Sequence, residues 1–332
     1  MRRVFIFLFC IVLVNLGLIF AQSVQRYNRR SENKVGSKTI TIGFIGKTDA
    51  NPVFSAANAG TQLAAKELGE KYKIDVMIDV GTPDKENDEE QANEIKRLTL
   101  SGAAGIAIAC SNDRYLTSFI NETVDRGIPV LCFDTDAPQS KRFAYYGADN
   151  IAFGKALLRQ LAAEINGKGM IAVLAGNKYG LNQKTRLQGV KEELNKYPGI
   201  TLPENNIFYN IEVGNISAEV VRREQEKNPN IVGWAFLDSW VLQSSNPFKW
   251  KPGEVKVVAG NAIQVELDFV KSGYVQSLVG INYFDYGYKA VEILLNKIVK
   301  DKTPGEPLIY CPLTPVTRKN VNEWSLKWND WQ

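Results

Sequence analysis

The 332-residue chain contains no histidine. This removes the commonest general base, the commonest zinc ligand and the usual partner of a serine or cysteine nucleophile, so most hydrolase and metalloenzyme schemes become improbable. Charge of one sign is also missing. Forty Lys and Arg face 36 Asp and Glu, a net of +4, too even for a nucleic-acid groove or a polybasic membrane surface. No Gly-x-Gly-x-x-Gly and no P-loop is present to cradle a nucleotide. Cysteine is scarce: Cys10, Cys110, Cys132 and Cys311. If the first is lost with a leader, the remaining three cannot all pair within the chain. Cys110 and Cys132 sit in or at the end of apolar strands and read as buried free thiols.

What is present is ordinary globular composition, with 45% hydrophobic and 23% charged residues, in a chain long enough for two cores of roughly 100 to 150 residues each. Met1-Arg2-Arg3 and the apolar run 4–21 read as a secretory signal cleaved before Gln22; the other reading is an uncleaved anchor. Either way the remainder is expected in the periplasm or on the extracytoplasmic face. Residues 22–37 are polar and read as a linker.

From residue 39 onward, strand and helix patterns alternate. Strands are expected at 39–46, 75–80, 105–109 and 128–133, with helices at 51–70 and 86–100 and another carrying Leu116, Phe119, Ile120 and Val124. The pattern restarts at 151, with helices at 151–165, 183–195, 218–227 and 265–271 and strands at 170–175, 207–211, 232–237, 255–259 and 275–279. A helix at 286–297 and a strand near 308–311 follow. KELGEKY at 66–72 and KEELNKY at 191–197 close the first helix of each half. An α/β fold follows, with two Rossmann-like αβα lobes on parallel sheets. Residues 38–148 with 282–308 are expected to form the first lobe, and 149–281 with 309–332 the second.

TIGFIGKTDANPVF at 41–54, GIPV at 127–130, Phe133-Asp134, GADN at 147–150, RLQG at 186–189, NPNI at 228–231, VVAGN at 257–261 and GYKA at 287–290 fall in one order along the chain. In that order they resemble the type I periplasmic sugar-binding proteins of the ribose-binding kind. The resemblance implies a hinge of three crossovers, near 148–150, 281–285 and 308–312. It also implies a permease of the ABC type as membrane partner. The related DNA-binding repressors need a helix-turn-helix before the first strand, where this chain has its apolar leader, so no nucleic-acid partner is expected.

Open α/β sheets bind ligands at the carboxyl ends of their strands, which selects candidates lobe by lobe. Lys47, Asp49, Asn51 and Phe54 follow the first strand. The resemblance makes Asn51 a ligand amide and Phe54 a ring covering a sugar's C–H face; the alternatives are a plain helix cap and a core residue. Asn112 follows the third strand, as a substitute for a family polar residue that aligns nearer Ala109. Asp134 matches the family's strand-end aspartate. Asp136 either joins it or caps a turn. From the second lobe come Asn182 and Arg186, the latter a family arginine or one on a solvated helix face. Asp238 follows, then Trp240 as stacking wall or rim, and Asn261 at another family position. Tyr283 lies near the second crossover.

Ile281 stands where the family commonly has glutamine and Thr135 where it often has arginine, which argues against ribose itself. The count of candidate carboxylates exceeds that of candidate cations, which disfavours an anionic ligand. The expected function is therefore capture of a neutral sugar or polyol by hinge closure, without cofactor or metal, by a monomer that delivers it to an ABC importer. The alternative is a sensory protein presenting ligand to a chemoreceptor or sensor kinase. A remote alternative is a phosphatase-type enzyme using Phe133-Asp134-Thr135-Asp136, but Pro138 stands where that motif wants Thr or Val.

Overall fold

The structure, a computed structural model, describes residues 39–178 and 180–331; the expected signal and linker lie outside them. The first sheet orders its strands β12-β5-β4-β3-β1-β2, where β1 is Thr39–Ile45, β2 Asp75–Val80, β3 Gly105–Ile108, β4 Val130–Phe133, β5 Ala144–Gly147 and β12 Leu308–Tyr310. All its pairings are parallel. The second is ordered β13-β11-β10-β9-β6-β7, with β8 also on β6. Here β6 is Lys168–Ala175, β7 Gly199–Thr201, β8 Ile207–Tyr209, β9 Ile231–Phe236, β10 Lys256–Gly260, β11 Ser277–Gly280 and β13 Thr314–Val316. Only the β11–β13 pairing among them is antiparallel.

Strands such as β3, β4 and β5 are buried along their whole length, as expected of parallel strands covered on both faces. The helices that cover them are α1 (Pro52–Tyr72), α2 (Asp88–Leu100), α3 (Asp113–Asp125), α4 (Asn150–Glu164), α5 (Leu181–Leu194), α6 (Gly214–Lys227), α7 (Leu267–Ser272), α8 (Phe284–Lys300) and α9 (Val321–Asp330). Among the described residues, no helix is long and apolar enough to cross a membrane.

The chain passes between the sheets after β5, after β11 and after β12. The first sheet extends to Tyr310 and β13 begins at Thr314, so the third passage lies between them. β5, β7, β13 and α9 were not expected as elements. Helix α8 returns to the first sheet and packs on α1, as its sequence position required. Cys110, Cys132 and Cys311 are buried free thiols, the first two with sulfurs 3.9 Å apart.

The two lobes solve the same packing problem in the same way. In the first, α1 and α8 approach so closely that a Cβ on Gly287 would lie 1.7 Å from the Ala57 carbonyl oxygen, and one on Gly60 2.0 Å from that of Phe284. In the second, a Cβ on Gly154 of α4 would lie 1.9 Å from the Arg186 carbonyl oxygen of α5. Backbone contact at these crossings fixes how the paired helices lie together, and the starts of α1, α5 and α8 carry side chains of the cleft. Gly287→Ala is expected to lower stability by about 1–3 kcal/mol through overpacking, read from the urea midpoint. Gly305→Ala, where a Cβ meets nothing within 4 Å, should leave the midpoint unchanged.

Candidate functional site

The carboxyl ends of both sheets face one cavity of about 380 Å³, closed on its hinge side by Ile281 and Tyr283. That size suits a single small ligand. Ten of the expected residues line it: Lys47, Asn51, Phe54, Asn112, Asp134, Asn182, Arg186, Asp238, Trp240 and Asn261.

The first lobe contributes a charged pair and a ring. Asp134 follows β4 at φ 56, a left-handed conformation that a non-glycine residue adopts only when its surroundings enforce it. Its N–H donates to the Tyr146 carbonyl (3.2 Å), and the Tyr145 hydroxyl donates to its own carbonyl (2.8 Å). The Thr135 hydroxyl donates to its carboxylate at 3.1 Å, and the Lys47 ammonium lies 3.7 Å away. Burial works against the Lys47 charge, but Asp134, Glu86, Glu212 and Asp238 outweigh it, and its pKa is raised. Phe54 is buried, packs edge-on to Phe133 at 6.4 Å and still lines the cavity, so it is a core residue with an edge on the cavity. Asn51 caps α1 by accepting from Val53 N–H at 3.0 Å and also borders the cavity. Asn112 caps α3, accepting from Tyr115 N–H at 3.1 Å and donating to Asp88 at 2.9 Å.

The second lobe is organised by Arg186. The solvated-helix reading fails, because its side chain is only 5% exposed. Nε donates to Asn150 Oδ1 (2.9 Å), Nη1 donates to the Leu237 carbonyl (2.7 Å), and the guanidinium lies 4.0 Å from the Phe153 ring centroid. Its Nη1 stands 3.6 Å from Asp238 Oδ2. Asp238 also accepts from Asn261 Nδ2 at 2.6 Å and from Gln183 Nε2 at 3.2 Å. Asn261, at φ 69, accepts from the Tyr283 hydroxyl at 2.8 Å, tying the hinge to the second lobe. Asn182 Oδ1 accepts from the Gln183 N–H at 2.9 Å, and Trp240 is half-buried at the wall.

Two expected residues are not in the cavity. Asp136 is turned away to form a salt bridge with Arg142 and to accept from Ala137 N–H at 2.8 Å, which is its turn-capping alternative. Asp49 is exposed and borders a separate depression, because the loop after β1 bends its backbone N–H towards the Pro83 carbonyl (2.9 Å). Sequence reasoning missed Gln183 and Glu212. Glu212 stands just past the residues read as a strand at 207–211, so the strand-end rule could have found it. It sits at φ 63, accepts from Asn177 N–H at 2.8 Å, and burial raises its pKa. With these changes, Glu86, Asp113, Asp134, Glu212 and Asp238 face Lys47, Arg114, Lys184 and Arg186. The carboxylate excess expected from sequence shrinks to near balance.

A periplasmic binding protein domain profile matches residues 42–302. The ribose import binding protein RbsB of Bacillus subtilis strain 168 is 24% identical over 168 residues, 50% of this chain and 52% of that protein; the chain spans about half the length of the curated relatives it matches. Among solved structures, an ABC transporter solute-binding protein of Burkholderia graminis in complex with D-arabinose is 26% identical with a TM-score of 0.76, over 86% of this chain and 97% of that one. One from Actinobacillus succinogenes with bound D-allose is 21% identical with a TM-score of 0.76, over 86% and 99%.

Removing Arg186 leaves the Leu237 carbonyl and Asp238 without it. Arg186→Ala is expected to cost about 3–5 kcal/mol of stability, measured by chemical denaturation. Behind Asp238, burial lifts the fully buried Glu266 carboxyl well above its usual range, with the Ser239 hydroxyl only partly offsetting it. The folded protein therefore keeps a proton that the unfolded chain releases above about pH 4.3, so stability falls as pH rises beyond that value towards the folded pKa. Glu266→Gln cannot titrate. The drop in melting temperature between pH 5 and pH 8 should be smaller in this variant than in the wild type.

Proposed function

The chain belongs to the type I periplasmic sugar-binding proteins, and on that premise we propose that it captures a neutral sugar or polyol between its lobes, outside the cytoplasm, and delivers it to an ABC importer. The observation that carries this reading is the single cavity lined by strand ends of both sheets and by the hinge residues Ile281 and Tyr283. A ligand there touches both lobes only when they close, so its binding shifts the hinge equilibrium towards the closed form. Closure is then the signal the membrane partner reads.

The cavity chemistry supports a neutral guest. Its two innermost cations are each paired inside the protein, Lys47 with Asp134 and Arg186 with Asp238. An ion entering between these pairs would have to compete with one of them in a desolvated space. A hydroxyl both donates and accepts, so it can insert beside a pair without exposing net charge, while the Phe54 ring covers a C–H face. The protein acts as a monomeric binder rather than a catalyst. Asp136, which a phosphatase-type pair would require beside Asp134, is held by Arg142.

The test is a thermal-shift and calorimetric screen against pentoses, hexoses, polyols, sugar acids and sugar phosphates. A neutral carbohydrate should raise the melting temperature, because a ligand binding only the native state stabilises it, and Asp134→Ala should abolish the shift. Hits confined to the acids or phosphates would overturn the reading.

A further inference from the structure

The C-terminal helix α9 carries Trp324 and Trp328 on one face, followed one turn on by Trp331; all three are buried, at 4%, 1% and 7% exposure. Spacing of four and three residues places them on one helical stripe. Their indole rings pack on one another, Trp328 to Trp331 at 5.2 Å and Trp324 to Trp331 at 6.1 Å. Apolar packing explains the rings but not where their N–H groups go. Trp324 Nε1 donates to the Ala262 carbonyl at 2.8 Å, and Trp328 Nε1 donates to the same oxygen at 2.6 Å.

Ala262 is an unusual residue to be held twice. It stands at φ 144, immediately after Asn261 at φ 69, so two consecutive side-chain-bearing residues leave the common backbone regions directly after β10. Such a turn persists only where its surroundings over-determine it. Trp328 grips the turn from a second side as well. Its ring lies 6.0 Å from that of Tyr283, whose hydroxyl donates to Asn261 Oδ1. The far end of the stripe reaches the first lobe, where Trp331 borders a depression shared with Asp49, Pro52, Ser55 and Ala59, at the start of the helix that Asn51 caps.

We propose that α9 is a positioning element of the binding site: the indole N–H groups of Trp324 and Trp328 converge on the Ala262 carbonyl and fix the Asn261–Ala262 turn, and through it the Asp238 carboxylate. The tryptophans touch no ligand. They act through Asn261, and the affinity part of the claim rests on the capture reading above.

Trp324→Phe, Trp328→Phe and the double variant keep an aromatic ring at each position and remove the indole N–H groups; the packing volume they also lose is separated from that effect by the Asn261→Ala background below. Affinity for the tightest sugar of the panel is measured by calorimetry, and amide exchange of residues 259–263 is followed in unliganded protein. The double variant should bind roughly tenfold more weakly, as expected when two donors to a buried carbonyl are lost. Exchange should rise at 259–263 and stay unchanged in β1 to β5. In an Asn261→Ala background the same substitutions should cost no further affinity, a coupling that a general loss of packing would not produce. Unchanged affinity and exchange, or losses that multiply independently with that of Asn261→Ala, would overturn the proposal. If no sugar binds the wild type, the capture reading falls and local exchange alone decides the role of α9. If the double variant does not fold, the single variants carry the same measurements.

Discussion

A guanidinium buried at the floor of a cleft must have its charge and its donors met by the protein, and the second lobe is arranged around meeting those of Arg186. Its partners come from the start of α4, the end of β9 and the loop after it: Asn150, the Leu237 carbonyl and Asp238, with Phe153 beneath the planar group. None of these is adjacent to Arg186 in sequence. They meet because α4 and α5 cross in backbone contact at Gly154, which brings the residue just past the first hinge passage against the helix that carries the arginine. The packing of two helices and the placement of a buried charge are thus one constraint. The first lobe repeats the crossing with α1 and α8 and sets its own pair, Lys47 and Asp134, at the opposite wall.

Strain marks the same places. Among the described residues, the non-glycine positions in the left-handed region include Asp134, Glu212 and Asn261, all following strands at the cavity. Each has its backbone or side chain fixed by neighbours: Asp134 by Tyr145 and Tyr146, Glu212 by Asn210 and Asn177, Asn261 by Asp238, Ser239 and Tyr283. A strand that ends in a left-handed residue turns that residue's side chain sharply off the pleat. The carboxylates and amides are thereby presented across the strand ends rather than along the sheet faces.

The architecture was legible in the sequence because parallel strands buried on both faces write themselves as short continuous apolar runs, such as GIAI and VLCF, separated by helices of period 3.6. The rule that ligands sit at strand ends then found ten cavity residues. It failed at Asp49 and Asp136 because proximity to a strand end does not say which way a loop turns. Arg142, six residues on from Asp136, took that carboxylate away. The role of helix α9 was invisible for another reason. The i, i+4, i+7 spacing of its tryptophans is legible, but what the stripe packs on is not until Ala262, some sixty residues earlier, is known to offer a carbonyl to two of them. Gln183 was hidden likewise, since an amide bridging the Gly176 N–H and Asp238 follows from tertiary position alone.

These arrangements bear on what closure can accomplish. Lys47, Asp134, Arg186, Asp238 and Asn261 already bond within the protein, so these groups need little reorganising when a ligand arrives, and little of the binding free energy is lost to ordering them. The same satisfaction restricts what can enter. A carboxylate or phosphate would compete with Asp134 for Lys47 or with Asp238 for Arg186 and leave the displaced carboxylate beside other carboxylates, a penalty that grows as water is excluded. On the proposed reading a polyhydroxylated ring would instead extend the existing networks, each hydroxyl able to accept from an amide or ammonium and donate to a carboxylate without unpairing either. Selection for uncharged guests would then arise from pairs that also hold the lobes' own walls together, since Asp134, Arg186 and Asp238 both line the cavity and bond within the protein.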